Sequence, residues 1–289
     1  MITSQERYKT RMLGVVTLYN FDSKAAAENI KRYIHDLDAL IIWDNSPLEK
    51  GLKDGVLQAL GEEAAKVVWH GDGTNSCIAP AINFAWKYAR EKGFGLLLIM
   101  DQDSKWEDFA SYRKDVECLY AKEPMIFTPF VVGCDFFDRS VSIHPRWMFI
   151  NSGSIIPVEI LESIGGIDEQ AFPLDAIDYD MAFNVQKKGY KIVCLTAHSL
   201  FHTLGDYKRM GIFKMRTSNY GCERRYSIMR SHVICYRKHR KGALLAYKKH
   251  FFKIFLYDAP MRILLAEPDK VNRFKAFVKG LISGLKYRI

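Results

Sequence analysis

Cysteine pairs, long apolar runs and internal repeats are all missing from this chain of 289 residues, and each absence excludes a class of protein. The six cysteines (Cys77, Cys118, Cys134, Cys194, Cys222 and Cys235) contain no C-x-x-C pair. That argues against a zinc site or a disulfide framework and for free thiols in a reducing compartment. No stretch reaches the roughly 20 apolar residues that span a bilayer. The best candidate, Ala243 to Leu265, is interrupted by Lys248, Lys249, Lys253, Asp258 and Arg262. The opening MITSQERYKT is polar and lacks the apolar core of a signal peptide, so a cytoplasmic protein is expected, with membrane contact at most peripheral. Without repeats or low-complexity tracts, collagenous, coiled-coil and disordered classes drop out as well.

What is present is ordinary globular material, 48% hydrophobic and 26% charged, enough for one large domain or two modest ones. The net charge of +9 is unevenly spread. Tyr207 to Ile289 hold 21 Lys and Arg against 4 Asp and Glu, a net of +17, while the preceding residues carry a net of −8. An acidic body is thus joined to a basic C-terminal region, where a polyanionic partner should be sought.

The first hundred residues alternate two hydrophobic periods. The runs 12–18, 39–43, 66–69 and 95–100 read as buried strands, and 23–35, 54–60 and 78–91 as helices, with Asp22 or Ser23 as a first cap. This β-α-β-α-β-α-β order predicts a mostly parallel sheet with helices on both faces, whose ligands bind at the carboxyl ends of the strands. Farther on, 105–121, 157–164 and 179–188 read as helices, and 125–132, 141–150 and 190–195 as strands or hairpin arms. From about Glu223 the chain reads as helical, in segments broken near Gly242 and Pro268. The expected division is 1–206 and 207–289.

Polar residues concentrate where strands stop. Asp101-Gln102-Asp103-Ser104 follows GLLLIM directly, and carboxylates at i and i+2 on such a loop can present oxygens to a hard divalent cation. A solvated turn with an Asp or Ser cap is the plainer explanation of the same residues. Asp175, Asp178 and Asp180 cluster at the start of a helix, where mutual repulsion can raise one pKa and create a general base. The helix dipole alone also favours acids there. Thr17-Leu18-Tyr19-Asn20, Asp44-Asn45-Ser46, Asn75-Ser76-Cys77, Asn151-Ser152-Gly153-Ser154 and His202 complete the set of strand-end candidates.

Taken in order, these pieces resemble the family 2 glycosyltransferases. The carriers are Thr17–Asn20, Asp44-Asn45-Ser46, Asn75…Ile78-Ala79-x-Ala81-x-Asn83, Asp101-Gln102-Asp103-Ser104, Ser152-Gly153-Ser154, Gly165-Gly166-Ile167-Asp168-Glu169, Asp178-x-Asp180 and Lys188-Gly189-Tyr190. Asp-Gln-Asp-Ser and the later His202-x-Leu204-Gly205 are most similar to the bacterial rhamnosyltransferase branch. The resemblance implies a GT-A fold and transfer of a sugar, rhamnose or another deoxysugar, from a nucleotide-diphosphate donor with inversion. It implies Mg2+ or Mn2+ as cofactor and a saccharide or polyprenyl-linked acceptor in surface polysaccharide synthesis. Thr17, Tyr19, Asn20, Asp44, Asn75, Asp101, Gln102 and Arg224 would bind the nucleotide sugar. Asp103 and His202 would hold the metal, and Asp178 would be the catalytic base. Ser152, Gly153 and Asp180 would lie on the acceptor side. Three positions depart from the pattern: Cys77 stands for a family Gly, so the loop is expected to bend differently, and Ser227 and Ser231 replace a Tyr and an Asn late in the branch motif.

The basic C-terminal region admits three readings. It can lie on anionic lipid, bind nucleic acid, or pack as helices with a solvated basic face. A nucleotidyltransferase of similar fold and a nucleic-acid-binding protein are the alternatives for the whole chain. The first would want a Gly-rich basic loop after the first strand, and Thr17–Ser23 contains no glycine.

Overall fold

A computed structural model describes residues 10–48, 52–202, 208–210, 215–242 and 244–289. The alternating apolar runs become β1 (Met12–Leu18), α1 (Ser23–Ile34), β2 (Ala39–Asp44), α2 (Leu52–Leu60), β3 (Val67–His70), α3 (Ala79–Lys92) and β4 (Leu96–Asp101). Local chemistry sets the ends of these elements. Asp22 caps α1 by accepting from the Ala25 N–H at 2.8 Å, and α3 stops at Gly93 with φ 72°, where a missing Cβ removes the steric penalty.

The sheet, nine-stranded among the described residues, runs β3-β2-β1-β4-β8-β6-β9-β5, with β7 also on β9. Here β5 is Lys105–Trp106, β6 Met125–Val132, β7 Ile143–Pro145, β8 Ile155–Pro157 and β9 Lys191–Phe201. Pairing is parallel from β3 through β4 and again between β6 and β9, while β8 runs antiparallel between β4 and β6. The chain winds outward from β1 to β3 and returns on the other side of β1 with β4. The winding direction therefore reverses between β1 and β4, and the crevice at their carboxyl ends is the expected ligand position.

Two expectations for the middle of the chain need correction. Residues 105–121 are not one helix: Lys105 and Trp106 pair with Phe201 and Leu200, and α4 (Phe109–Tyr120) starts after a cap at Asp108, not at Ser104. The buried Trp106 ring stacks on Tyr112 at 4.7 Å, so its apolar character serves packing against α4 while its backbone pairs with β9. In 141–150 only β7 is extended, and β9 continues past Leu195 to Phe201 through a register shift at Pro129/Phe130 of β6.

The chain divides into two compact units. One comprises the residues up to Ile167 together with Asn184–His202; the other comprises Asp168–Phe183 and the residues after His202. The expected boundary at 206/207 falls outside the described residues. Asp168–Phe183, expected in the first domain, groups instead with the C-terminal helices. The helix α5 (Val158–Ile164) belongs to the first unit; the second unit takes in α6 (Ile177–Lys187) only up to Phe183. It continues with the pair β10 (Lys208–Met210) and β11 (Met215–Thr217), then α7 (Cys222–His239), α8 (Leu245–His250), a π-helical stretch (Phe251–Asp258), α9 (Ala259–Leu265) and α10 (Lys270–Lys286). Met229, Val233, Phe251, Phe255, Ile263 and Phe277 form its core. Among the described residues no helix is long and apolar enough to cross a membrane.

Candidate active site

The reversal point of the sheet collects the carboxylates. Thr17 at the end of β1 is in register with Asp101 at the end of β4 and with Trp43 of β2. The next residues of both strands are tied together, because Gln102 Oε1 accepts from the Tyr19 N–H at 2.7 Å. Gln102 thus braces the loop with the side chain expected to meet nucleotide, and its carbonyl accepts from Asn29 at 2.9 Å.

Asp101, Asp103 and His202 each offer a ligand atom, all within 4.8 Å of one another. His202 arrives from the end of β9, and its Nδ1 lies 3.5 Å from Asp103 Oδ1. Burial pushes the Asp101 carboxyl up to about 6; the His202 charge opposes this and the neighbouring Asp103 adds to it. Burial lowers the His202 pKa, but its hydrogen bond to Asp103 and the charges of both carboxylates outweigh this and leave it raised. Two crowded carboxylates and an imidazole are a donor set that fits Mg2+ or Mn2+, and a cation there would relieve the crowding.

Beneath the cluster runs a chain of serines. The Asp101 N–H donates to Ser152 Oγ at 3.0 Å, Ser152 donates to Ser104 Oγ at 2.7 Å, and Ser104 Oγ lies 2.8 Å from His202 Nδ1. Ser152 is 0% exposed and so offers no surface to an acceptor; it supports the carboxylate loop instead. Gly153 is also buried, with φ 80°, and a Cβ there would meet Leu200 at 2.7 Å and Pro129 at 2.9 Å. The acceptor-side expectation for Ser152 and Gly153 is therefore corrected by burial. The reading of Ser104 as a helix cap hid its real neighbours, since hydrogen bonds across 98 residues leave no local sequence signal.

The β2 edge makes a second wall. Asp44 Oδ1 accepts from the Ser46 N–H at 2.8 Å, and Ser46 Oγ accepts from the N–H of Asn20, whose φ is 47°. Asn45 is buried and joins this edge to the next loop, accepting from Ser76 N–H at 3.0 Å and donating to the Cys77 carbonyl at 3.0 Å. Asn75 spends its side chain on the turn, accepting from the Cys77 N–H. Cys77 has φ 68°, the left-handed backbone region that favours glycine. Asp44 and Ser46 also line a cavity of about 300 Å³ with Leu48, Lys53, Trp69 and Gly73. Lys53 and Trp69 were not singled out in the sequence; the Gly71-Asp72-Gly73 turn after β3 was the available signal. Asn83, another residue of the resemblance, is structural: it exchanges both amide hydrogen bonds with the backbone of Ile167.

The second unit holds the other acids. Asp178 stands half-buried in the first turn of α6, its Oδ1 accepting from the Tyr179 N–H. Two residues before it stands Ala176, a non-glycine residue with φ 64°. Asp180 is 3% exposed and gripped by His239 at 2.6 Å and Lys238 at 2.9 Å, so it pins α6 to α7 and is not available on an acceptor side. Arg224 pairs with Asp175 at 3.0 Å, and Ser227 donates to the same carboxylate at 2.8 Å. Burial raises the Asp175 pKa against the pull of both partners. Ser227 and Ser231 thus have work of their own, Ser231 donating to the Ala171 carbonyl. Leu204 and Gly205 lie outside the described residues.

No protein-family model matches the chain. In sequence it is 23% identical over 238 residues to the dTDP-rhamnosyl transferase RfbF of Shigella flexneri, across 74% of this chain and 77% of that one. In structure it is similar to the mannosyltransferase PcManGT of Pyrobaculum calidifontis, solved in complex with GDP-Man and Mn2+. That match has a TM-score of 0.60 at 15% identity and covers 96% of this chain and 76% of the other. It is also similar to S. aureus TarS 1-349 in complex with UDP-GlcNAc, with a TM-score of 0.58 at 14% identity, over 94% and 79% of the two chains. The chain therefore has the GT-A glycosyltransferase fold with a helical C-terminal extension, and in sequence it is related to a rhamnosyl transferase.

Proposed function

We propose that the protein is a metal-dependent, inverting family 2 glycosyltransferase of the bacterial cytoplasm. It would move a sugar from a nucleotide-diphosphate donor to a saccharide or polyprenyl-linked acceptor. The observation that carries the proposal is the Asp101–Asp103–His202 cluster at the point where the sheet reverses its winding. The relative that acts as a dTDP-rhamnosyl transferase supports rhamnose or another deoxysugar as the cargo, and the mannosyltransferase solved with GDP-Man and Mn2+ supports use of a divalent cation.

Each residue then has a role. Thr17, Tyr19, Asn20 and the Asp44 wall receive the nucleoside, and Asn75 holds the adjoining turn. Asp103 and His202 would hold Mg2+ or Mn2+, whose positive charge would stabilise the departing diphosphate. Asp101, beside them, would meet the ribose. Asp178 accepts the proton of the acceptor hydroxyl as that oxygen attacks the anomeric carbon, which a single displacement inverts. Arg224, paired here with Asp175, would be the donor-binding arginine.

Thermal shift with a panel of nucleotide sugars, with and without Mn2+, tests this. A donor at about 100 times its Kd should stabilise the protein by about 2.7 kcal/mol, and Asp103→Ala should abolish the metal-dependent part. Asp178→Asn should keep the donor shift and lose transfer by about 10²-fold or more. No shift with any nucleoside diphosphate would remove the donor site; full transfer by Asp178→Asn would remove that residue from the base role.

A further inference from the structure

The face of the second unit built by α8 and the π-helical stretch is unusual for an exposed surface. Leu245 is 65% exposed, Phe252 51% and Tyr257 65%. They recur at helical spacing with Lys248, Lys249 and Lys253 between them, and together they line one shallow groove. No carboxylate lines it. The nearby Asp258 is half-buried and paired with Arg262 at 3.8 Å. The floor is firm: Tyr236 of α7 stacks on Phe251 at 4.3 Å and meets Phe252 edge-on at 5.5 Å. Below it, Phe255 stacks on His232 at 3.8 Å.

From this arrangement we infer that the α8–π-helical face docks on an anionic lipid surface, with Leu245, Phe252 and Tyr257 entering the interfacial layer and Lys248, Lys249 and Lys253 meeting the headgroups. Three features select lipid. Large apolar side chains left in water gain free energy only where another apolar phase receives them. Lysines interleaved with them can lay their stems along that phase and keep their ammonium groups at headgroup level. An aliphatic anchor such as Leu245, with the adjacent Leu244 also 52% exposed, suits acyl chains and has no stacking use for nucleic-acid bases. The region from Leu244 to Ile289 holds ten basic and three acidic residues, so the surrounding field favours the same partner. The docking would hold the enzyme as a peripheral protein where a polyprenyl-linked acceptor resides. It does not depend on the transferase proposal, because lipid binding and donor binding are read separately.

Flotation of the full chain with phosphatidylglycerol/phosphatidylcholine vesicles, and with phosphatidylcholine alone, tests the docking. The protein should float with the anionic vesicles only, and Lys248→Glu/Lys249→Glu/Lys253→Glu should weaken binding by roughly 100-fold or more. Phe252→Trp should bind like wild type, with its indole quenched by brominated acyl chains, which reports insertion. Leu245→Ser/Phe252→Ser should keep the charge but bind several-fold more weakly and be released by less salt. All variants should keep the wild-type thermal shift with donor. Wild-type-like flotation of the triple-Glu variant, an unquenched indole, or tighter binding to a single-stranded oligonucleotide than to anionic vesicles would overturn the inference.

Discussion

Cys77 carries the cost of a left-handed backbone. An L-residue at φ 68° brings Cβ against its own carbonyl, worth roughly 1–2 kcal/mol, and the conformation persists because Asn75 and Asn45 hydrogen-bond both sides of the same peptide segment. Glycine would relieve the clash but add freedom to the unfolded chain, returning roughly 0.5–1 kcal/mol. Cys77→Gly should therefore stabilise the protein by about 0.5–1 kcal/mol, measured as a higher midpoint in urea; a lower midpoint would show that the thiol packs better than it strains. At this scale much of the site was legible. Asp101, Asp103 and His202 are chemically marked residues at strand ends, and the structure gathers them. Ser104, Ser152 and Asp180 were seen but misassigned, because their roles depend on partners 98, 48 and 59 residues away along the chain.

Elements were legible where one period decided them and illegible where pairing did. The four strands from β1 to β4 stand within a residue or so of their apolar runs. β5 and β8, two and three residues long, exist only because β9 and β4 lie beside them. A different long-range constraint joins α7 and α10. A Cβ on Gly280 would lie 2.5 Å from the Tyr226 carbonyl oxygen, and one on Gly284 would lie 2.8 Å from that of Arg230, so the two helices meet backbone to backbone. Overpacking of this kind costs about 1–3 kcal/mol even in adaptable sites. Here the obstacle is main chain, which cannot swing aside. Gly284→Leu should lower unfolding free energy by about 3 kcal/mol, with Gly284→Ala intermediate. Equal stability of wild type and the Leu variant by chemical denaturation would contradict the close approach.

The whole molecule couples its stability to pH through a histidine away from the carboxylate cluster. Burial pushes the His232 pKa down to about 3, with His250 and Arg224 acting in the same direction. Its ring is enclosed by Phe255 and Tyr179, and its Nδ1 has no hydrogen-bond partner among the described residues. The folded value lies below the unfolded value of about 6.5, so the unfolded chain takes up a proton that the native state refuses. This cost is absent above about pH 6.5 and grows by about 1.4 kcal/mol per pH unit as pH falls toward the folded value. Other groups titrate in the same range, Asp101 and His202 in the opposite sense, so the difference between two proteins is the clean measurement. Relative to wild type, His232→Phe should gain about 2 kcal/mol between pH 7.5 and pH 5. A pH-independent difference would mean that His232 ionises freely in the folded chain.

Order of synthesis adds a last consequence. The first acid of the candidate cation cluster is Asp101, and His202, which completes it, comes a hundred residues later at the end of β9, after the β8 strand that lies between β4 and β6. Closing so long a loop is slow and entropically costly, and its reward comes only at the end. A nascent chain ending before His202 has two carboxylates but no third donor. If the cluster holds a cation as proposed, tight binding would be acquired late in maturation, and the metal would act as a seal on a finished sheet, not as a nucleus for folding it.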